Sequence, residues 1–146
     1  LRDQSLLARD IALSIDLPPT QRPLSADRAL LRRAVQNLLG NALRHAYSRV
    51  AVQLREAPGG VSIAVEDDGP GVPESQRERI FEPFSRLDET RSKSSGGYGL
   101  GLAIVRRIAE RHGGRIACGV AALGGARFEL ELPWAAGSAT PSPARS

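Results

Sequence analysis

Residues Leu30–Ala46 read LLRRAVQNLLGNALRHA, a stretch in which apolar side chains recur at the spacing of an α-helix. This spacing predicts an amphipathic helix with one buried face, and its apolar stripe consists of Leu31, Val35, Leu38 and Ala42. At about 100° per residue, four polar side chains share one flank of the stripe: Asn37, Asn41, Arg44 and His45. Asparagine lowers helix propensity, so this pair indicates either satisfied polar groups at the edge of the core or a binding site.

The composition indicates an ordinary globular chain of one domain. It has 146 residues, of which 41% are hydrophobic and 25% charged. No stretch approaches the roughly 18 apolar residues of a membrane span, and no signal peptide is visible. The single cysteine, Cys118, excludes an internal disulfide and fits a cytosolic compartment. Because the chain begins without methionine, we expect a piece excised from a longer protein.

The net charge of +4 raises the question of nucleic acid as a partner. The excess consists of arginines scattered along predicted helices, and few aromatic side chains are present to stack on bases. We therefore expect no nucleic-acid binding. Arginines near an anionic small ligand explain the charge equally well.

The order of predicted elements indicates an α+β fold. A first strand is predicted over Asp10–Leu17, and Ser25 or Asp27 can cap the asparagine helix that follows. The remaining predicted elements are a hairpin (Arg49–Arg55 and Val61–Glu66), a short helix (Pro73–Ile80), a mobile loop (Ser85–Gly97), a helix (Gly99–His112) and a second hairpin (Arg115–Val120 and Ala126–Leu132). This order does not alternate as βαβ units do. It predicts a two-layer α/β sandwich, in which three helices cover one face of a mixed, mostly antiparallel sheet of about five strands.

The chain divides into three predicted segments. Residues 1–22 are expected to form an N-terminal connector with the first strand, and residues 23–134 the folded domain. Residues 135–146 are low in complexity and rich in Ala, Ser and Pro, which predicts a disordered tail.

Glycines lead into the last predicted helix at Gly97-x-Gly99-x-Gly101. Such glycines leave backbone N–H groups free at a helix N-terminus, where anions are favoured. The pattern indicates either a phosphate-binding turn or a plain joint between loop and helix. It matches neither the G-x-x-x-x-G-K-[ST] loop nor a Rossmann turn.

A carboxylate and two amides complete the candidate chemistry. Asp67 ends a strand beside glycines, where it can accept a hydrogen bond from an exocyclic amine such as that of adenine, or can act as a turn residue beside Asp68. The carboxamide oxygens of the two asparagines suit Mg²⁺, which retains water and phosphate ligands. Arg44 and Arg86 could neutralise phosphate charge.

Four segments, taken in this order and spacing, resemble the N box, first glycine box, F box and second glycine box of bacterial sensor histidine kinases. They are QNLLGNALRHA, VEDDGPGVP, IFEPFSRLDETRS and GGYGLGLAIVRRIAERHGG. The resemblance covers about Pro23 to Pro133. It implies a catalytic domain with the Bergerat ATP-binding fold, which is shared with gyrase, mismatch-repair ATPases and heat-shock chaperone ATPases.

The resemblance implies a role for each matching residue. Asn41 would ligate Mg²⁺, with Asn37 assisting at the metal and the phosphates. Arg44 would lie near the phosphates, His45 against the adenine or ribose, and Arg86 at the terminal phosphate. Asp67 would hold the adenine amine in a pocket shaped by Gly69, Gly71 and Val72. The segment that would close on the phosphates consists of Gly97, Gly99, Leu100, Gly101 and Leu102.

Two departures from the related ATPases bear on the reaction. The hydrolysing relatives carry a glutamate as the base for water where this chain has Asn37, which favours transfer to a protein acceptor over hydrolysis. The chain also reads Gly125-Ala126-Arg127-Phe128 where many kinases have a threonine near the adenine, which puts that contact in doubt.

The resemblance also implies partners. Neither His45 nor His112 lies in the family's acceptor box, so the phosphorylated histidine is expected on an upstream dimerisation domain, and this fragment alone should bind ATP without autophosphorylating. A response regulator would be the further partner, and a cytoplasmic location with membrane attachment only through upstream segments is expected. The alternatives are a nucleotide-binding regulatory module of the anti-sigma-factor or pseudokinase kind and a gyrase-type ATPase.

Overall fold

A computed structural model describes residues 10–18, 24–84 and 101–134. Within these ranges the elements are, in chain order, β1 (Ala12–Asp16), α1 (Arg28–His45), β2 (Arg49–Ala57), β3 (Gly60–Asp67), two 3₁₀ turns (Glu74–Gln76 and Arg79–Phe81), α2 (Gly101–Arg111), β4 (Arg115–Val120) and β5 (Ala126–Pro133). The short helix predicted over Pro73–Ile80 is thus present as the two 3₁₀ turns. Its polar sequence has no apolar stripe to pack as a longer α-helix.

The strands form one sheet in the order β1-β2-β3-β5-β4. The β1–β2 pair is parallel, and the other three pairs are antiparallel. A parallel pair needs a long crossover connection, and α1 provides it. The predicted mixed, mostly antiparallel sheet is confirmed, and so is the two-layer architecture.

The core lies between the sheet and the two helices. Strand β5 alternates strictly, and it buries Ala126, Phe128, Leu130 and Leu132 towards the helices. Helix α1 meets this layer with Leu38 at full burial, as its predicted stripe requires. Full burial of each large apolar side chain contributes about 1.5–3 kcal/mol, so this layer supplies most of the free energy of folding.

The other face of the sheet is polar. Arg127 pairs with Glu66 across β5 and β3, and Arg115 Nε lies 2.9 Å from Glu131 Oε1. Ser62 Oγ donates to Glu129 Oε2 at 2.9 Å. Such cross-strand pairs suit a face in contact with water, which explains why the helices of the described ranges lie on the opposite side.

The start of α1 is joined to the end of α2. Asp27 caps α1, since its carboxylate accepts a hydrogen bond from Leu30 N at 3.1 Å. His112 Nε2 accepts from Asp27 N at 2.9 Å, and its Nδ1 donates to Ile108 O at 2.8 Å. Of the two predicted caps, Asp27 is therefore the one used, and α1 begins beside the end of α2.

Strand β1 departs from what its alternating sequence suggests about burial. Leu13 pairs with Val50 and Ile15 with Val52, so both point to the helix side of the sheet. They nevertheless remain 47% and 60% exposed. Helix α1 packs over the central strands, and β1 lies at the edge beyond its cover.

Candidate functional site

Asn41 and Asn37 lie on the flank of α1 that faces α2. Asn41 is only 2% exposed, and within the described residues its Nδ2 atom has no hydrogen-bond partner. Asn37 Nδ2 donates to the backbone carbonyl of Gly101 at 3.2 Å. Burying a polar group without a partner is unfavourable, so the buried amide of Asn41 indicates a ligand-binding residue.

Asp67 ends β3 and is 1% exposed. Its Oδ1 atom accepts hydrogen bonds from Gly69 N at 2.8 Å and from Ala126 N at 3.3 Å. Its carbonyl accepts a third from Gly125 N at 3.1 Å. The loop after β3 and the start of β5 thus fix the orientation of this carboxylate.

Gly69 brings the end of α1 against the Asp67 segment. A Cβ atom at this position would lie 2.1 Å from the carbonyl oxygen of His45, a distance that no side chain can occupy. Gly71 has a φ of 77°, in the left-handed region that favours glycine. Both glycines are therefore required by local geometry, which the turn-like sequence alone did not show.

These contacts assemble the predicted motifs around the second half of α1. Asn37 reaches the first residue of α2, His45 touches Gly69, and Asp67 meets the start of β5. The asparagines, the aspartate segment and the helix opened by glycine are thereby neighbours, although up to 64 residues separate them in sequence. The structure brings together what the sequence analysis grouped.

The remaining predicted site residues vary in their surroundings. Val72 is 5% exposed and Leu102 is 2% exposed, so both belong to the core. Arg44 is exposed, with its guanidinium near Gly40 one turn back, and His45 is half-buried. The predicted residues that lie outside the described ranges are Arg86, Gly97, Gly99 and Leu100.

Gly125 is a site residue that the sequence analysis did not propose. A Cβ atom there would lie 2.3 Å from Asp67 Oδ1, 2.5 Å from Asp67 O and 2.6 Å from Gly69 N. The Gly124-Gly125 pair lies in the turn between β4 and β5, and of the two glycines only Gly124 has a positive φ, of 108°. One glycine is enough for the turn. The presence of a second glycine was therefore the feature of the sequence that could have identified Gly125.

Asp68 has a separate, structural role next to Asp67. It accepts hydrogen bonds from Tyr47 N at 2.8 Å, Ser48 N at 3.0 Å and Ser48 Oγ at 2.8 Å. The Ser48 N–H is the largest cause that holds the pKa of Asp68 well below its usual range, while partial desolvation opposes the shift. Asp68 therefore ties the connection after α1 to the end of β3.

We expect Asp68→Asn to destabilise the fold at pH 7 and the loss to shrink in acid. The folded pKa lies below the unfolded value of about 3.9, so the ionised group stabilises the fold above that pH. This contribution disappears as the pH falls from about 4 towards the folded pKa. Urea unfolding at pH 7 and at about pH 3 would measure the change.

The control for this prediction is Asp16→Asn on the edge strand, which should change little at either pH. Its side chain makes no hydrogen bond or ion pair among the described residues. A difference between wild type and Asp68→Asn that stays constant from pH 7 to pH 3 would contradict the role given to the ionised carboxylate.

The residues present fit a magnesium ion held jointly with a nucleotide. No group of three or more His, Cys, Asp or Glu in the described ranges could hold a metal by itself. The Asn41 carboxamide is a neutral oxygen ligand that suits Mg²⁺ when phosphates and water complete the shell. Its Nδ2 could then donate to a phosphate oxygen and satisfy the buried amide.

Comparison with known proteins places this geometry in a family. Residues 26–136 match the family described as histidine kinase-, DNA gyrase B- and HSP90-like ATPases. The chain is 50% identical over 107 residues to the sensor protein RstB of Escherichia coli strain K12, an alignment that covers 73% of this chain and 25% of RstB. It spans about a quarter of the length of the curated relatives that it matches.

Solved structures agree. The chain is 34% identical to the mycobacterial sensor histidine kinase MprB with a TM-score of 0.72, covering 86% of this chain and 83% of that structure. Full-length ShkA in complex with AMPPNP gives 35% identity and a TM-score of 0.74, covering 86% of this chain and 26% of ShkA. This chain therefore belongs to the histidine kinase-, DNA gyrase B- and HSP90-like ATPase family, as an ATP-binding catalytic domain of the sensor histidine kinase type.

Proposed function

We propose that this domain binds ATP together with Mg²⁺ and presents the γ-phosphoryl group to a histidine on an upstream dimerisation domain. The observation that carries the proposal is the pair of buried polar groups, Asn41 and Asp67, joined through backbone contacts on one side of α1. A buried polar group is costly unless it is paired, and a nucleotide with its metal would pair the Asn41 amide, while the fixed Asp67 carboxylate would meet the base.

Each end of the nucleotide has a proposed receptor. Asp67 accepts a hydrogen bond from the adenine amine, and the bonds from Gly69 N and Ala126 N to Oδ1 hold its carboxylate in place. Gly69, Gly71 and Val72 form the turn that shapes the pocket for the base. At the other end, the N–H groups at the start of α2 and the guanidinium of Arg44 face the phosphates, with Arg86 and the glycines from Gly97 onward completing the contact.

The asparagines have distinct proposed roles. Asn41 ligates the metal, which when bound neutralises phosphate charge. Asn37 holds Gly101 and thereby the first turn of α2 in position. As an amide, Asn37 cannot remove a proton from water, so the site favours transfer to an acceptor over hydrolysis.

The proposed partners follow from transfer chemistry. A domain that positions ATP for transfer needs an acceptor, and we propose that this acceptor is a histidine in the upstream part of the full-length protein. A response regulator would receive the phosphoryl group next.

Within the described ranges, no helix has the length and apolar character needed to span a membrane. We propose a cytoplasmic location for this domain.

We expect Asn41→Ala to abolish most of the gain in ATP affinity that Mg²⁺ gives. Losing a hydrogen-bonding or ligating contact to a charged group corresponds to about 10- to 100-fold in dissociation constant. Titration calorimetry with and without Mg²⁺ measures this gain directly. Without the metal, the two proteins should bind ATP within a few-fold of one another.

The matched control is Gln36→Ala, which removes an exposed amide from the opposite face of the same helix. It should bind ATP as the wild type does in both conditions. Equal Mg²⁺-dependent gains in Asn41→Ala and wild type would rule out the metal role of Asn41.

A further inference from the structure

A groove of about 790 Å³ runs between α1 and α2 on the outer side of the helical layer. It lies on the same two helices as the candidate nucleotide site, but none of the residues that line it belongs to that site. The groove is lined by three aliphatic and three basic side chains, which are Leu30, Ile104, Ile108, Arg33, Arg107 and Arg111. We call this surface the arginine groove.

The aliphatic side chains form a recessed floor and the arginines an exposed rim. Ile108 is 5% exposed, and Leu30 and Ile104 are half-buried, whereas Arg33, Arg107 and Arg111 are all exposed. The helices run antiparallel, because α1 meets the start of α2 at Asn37 and the end of α2 at Asp27. Two antiparallel helices with an apolar seam between them offer the groove in which a third helix packs.

The rim carries positive charge that nearby carboxylates do not neutralise. In the ranges that the structure describes, Arg33, Arg107 and Arg111 form no ion pair. Glu110 also borders the groove, but its carboxylate lies 3.4 Å from Arg106 Nε. Three guanidinium groups therefore surround an apolar floor with no counter-charge of their own.

The charge on α1 is not explained by helix stability. The first turn of α1 contains no acidic residue and begins with Arg28, with Arg32 and Arg33 one turn further along. Positive charge near a helix N-terminus is opposed by the helix dipole. Arg111, at the end of α2, does complement the dipole, so Arg33 is the rim charge that the dipole opposes.

We propose that the arginine groove binds an acidic amphipathic helix of a partner protein. Arg107 and Arg111 are four residues apart, so they lie about 6 Å apart along α2, the spacing of carboxylates at i and i+4 on a neighbouring helix. The apolar face of that helix fills the floor, and its carboxylates accept the forked N–H groups of the arginines. A flat membrane surface would meet the rim but not the recessed floor.

A fluorescein-labelled peptide of about 18 residues, designed as a helix with glutamates at i and i+4 beside a row of leucines, serves as the probe. We expect it to bind this domain in fluorescence anisotropy at low ionic strength. Arg107→Glu/Arg111→Glu should weaken binding by at least about tenfold. Arg55→Glu, a single substitution of the same kind on the polar face of the sheet, should stay within about twofold.

Two further peptides separate the floor from the rim. Replacing the leucines by serine, or the glutamates by glutamine, should each abolish most of the binding. The proposal is overturned if the glutamine peptide binds as well as the glutamate peptide, or if the double variant binds like wild type. It is also overturned if phosphatidylglycerol vesicles bind through Arg107 and Arg111 while the peptide does not.

Peptide binding at the arginine groove is independent of the proposed nucleotide site. AMPPNP affinity should be unchanged in Arg107→Glu/Arg111→Glu, because both arginines lie towards the far end of α2 from Gly101. A loss of both peptide and AMPPNP binding would indicate a damaged fold and would count against a separate surface.

Discussion

Asp67→Asn is expected to weaken ATP binding about 10- to 100-fold while leaving the domain folded. The substitution preserves shape, and the amide oxygen of asparagine can still accept the bonds from Gly69 N and Ala126 N that now end on Oδ1. The other position changes from an oxygen to an NH₂ group. An acceptor for the adenine amine thereby becomes a donor, and two donors then face each other.

The same substitution should reverse the preference between purines. Inosine triphosphate carries a carbonyl where ATP carries the amine, so an asparagine NH₂ can donate to it. In the ITP complex, the substitution removes an unfavourable contact between two oxygens and adds a favourable hydrogen bond. We therefore expect the ratio of ATP to ITP affinity to fall by more than about tenfold. Parallel titrations of both nucleotides against wild type and variant measure this ratio.

The ratio distinguishes recognition from damage. A merely weakened fold would lower both affinities together, and urea unfolding would reveal it independently. Asp68→Asn, the same chemical change at the adjacent residue, is the matched control and should leave the ratio as it is in wild type. If Asp67→Asn lowers ATP and ITP affinity equally, Asp67 does not read the base.

Local patterns in the sequence determined the parts that were predicted well. The 3.6-residue period placed Leu38 in the core and Asn41 at its margin, and the structure buries both. Capping chemistry narrowed the start of α1 to two candidates, of which Asp27 is used. These features depend on neighbours within a few turns of the chain, which the sequence displays directly.

Long-range packing determined the parts that were not predicted. Ala126 N reaches Asp67 across 59 residues, and the exposure of Ile15 depends on where α1 settles over the sheet. No periodicity encodes either relation. Arg86, Gly97, Gly99 and Leu100 lie outside the described residues, so their roles stay predictions.

Gly125→Ala is expected to cost about 3 kcal/mol of unfolding free energy and to lower the Tm by about 10 °C. The added Cβ would sit 2.3 Å from Asp67 Oδ1 and 2.5 Å from Asp67 O. To relieve these contacts, β5 must move away from the end of β3, which breaks the bonds from Gly125 N and Ala126 N to Asp67. Thermal unfolding measures the loss, and ATP affinity should fall with it.

Gly119→Ala is the matched control, because nothing lies within 4 Å of a Cβ at that strand position. It should leave stability unchanged or raise it by up to about 1 kcal/mol. Adding Asp67→Ala to Gly125→Ala tests the mechanism further. Two of the three closest atoms belong to the backbone, Asp67 O and Gly69 N, so deleting the carboxylate should not restore stability. If stability is restored, the Asp67 side chain alone requires glycine at position 125. If Gly125→Ala by itself is as stable as wild type, neither the side chain nor the backbone requires it.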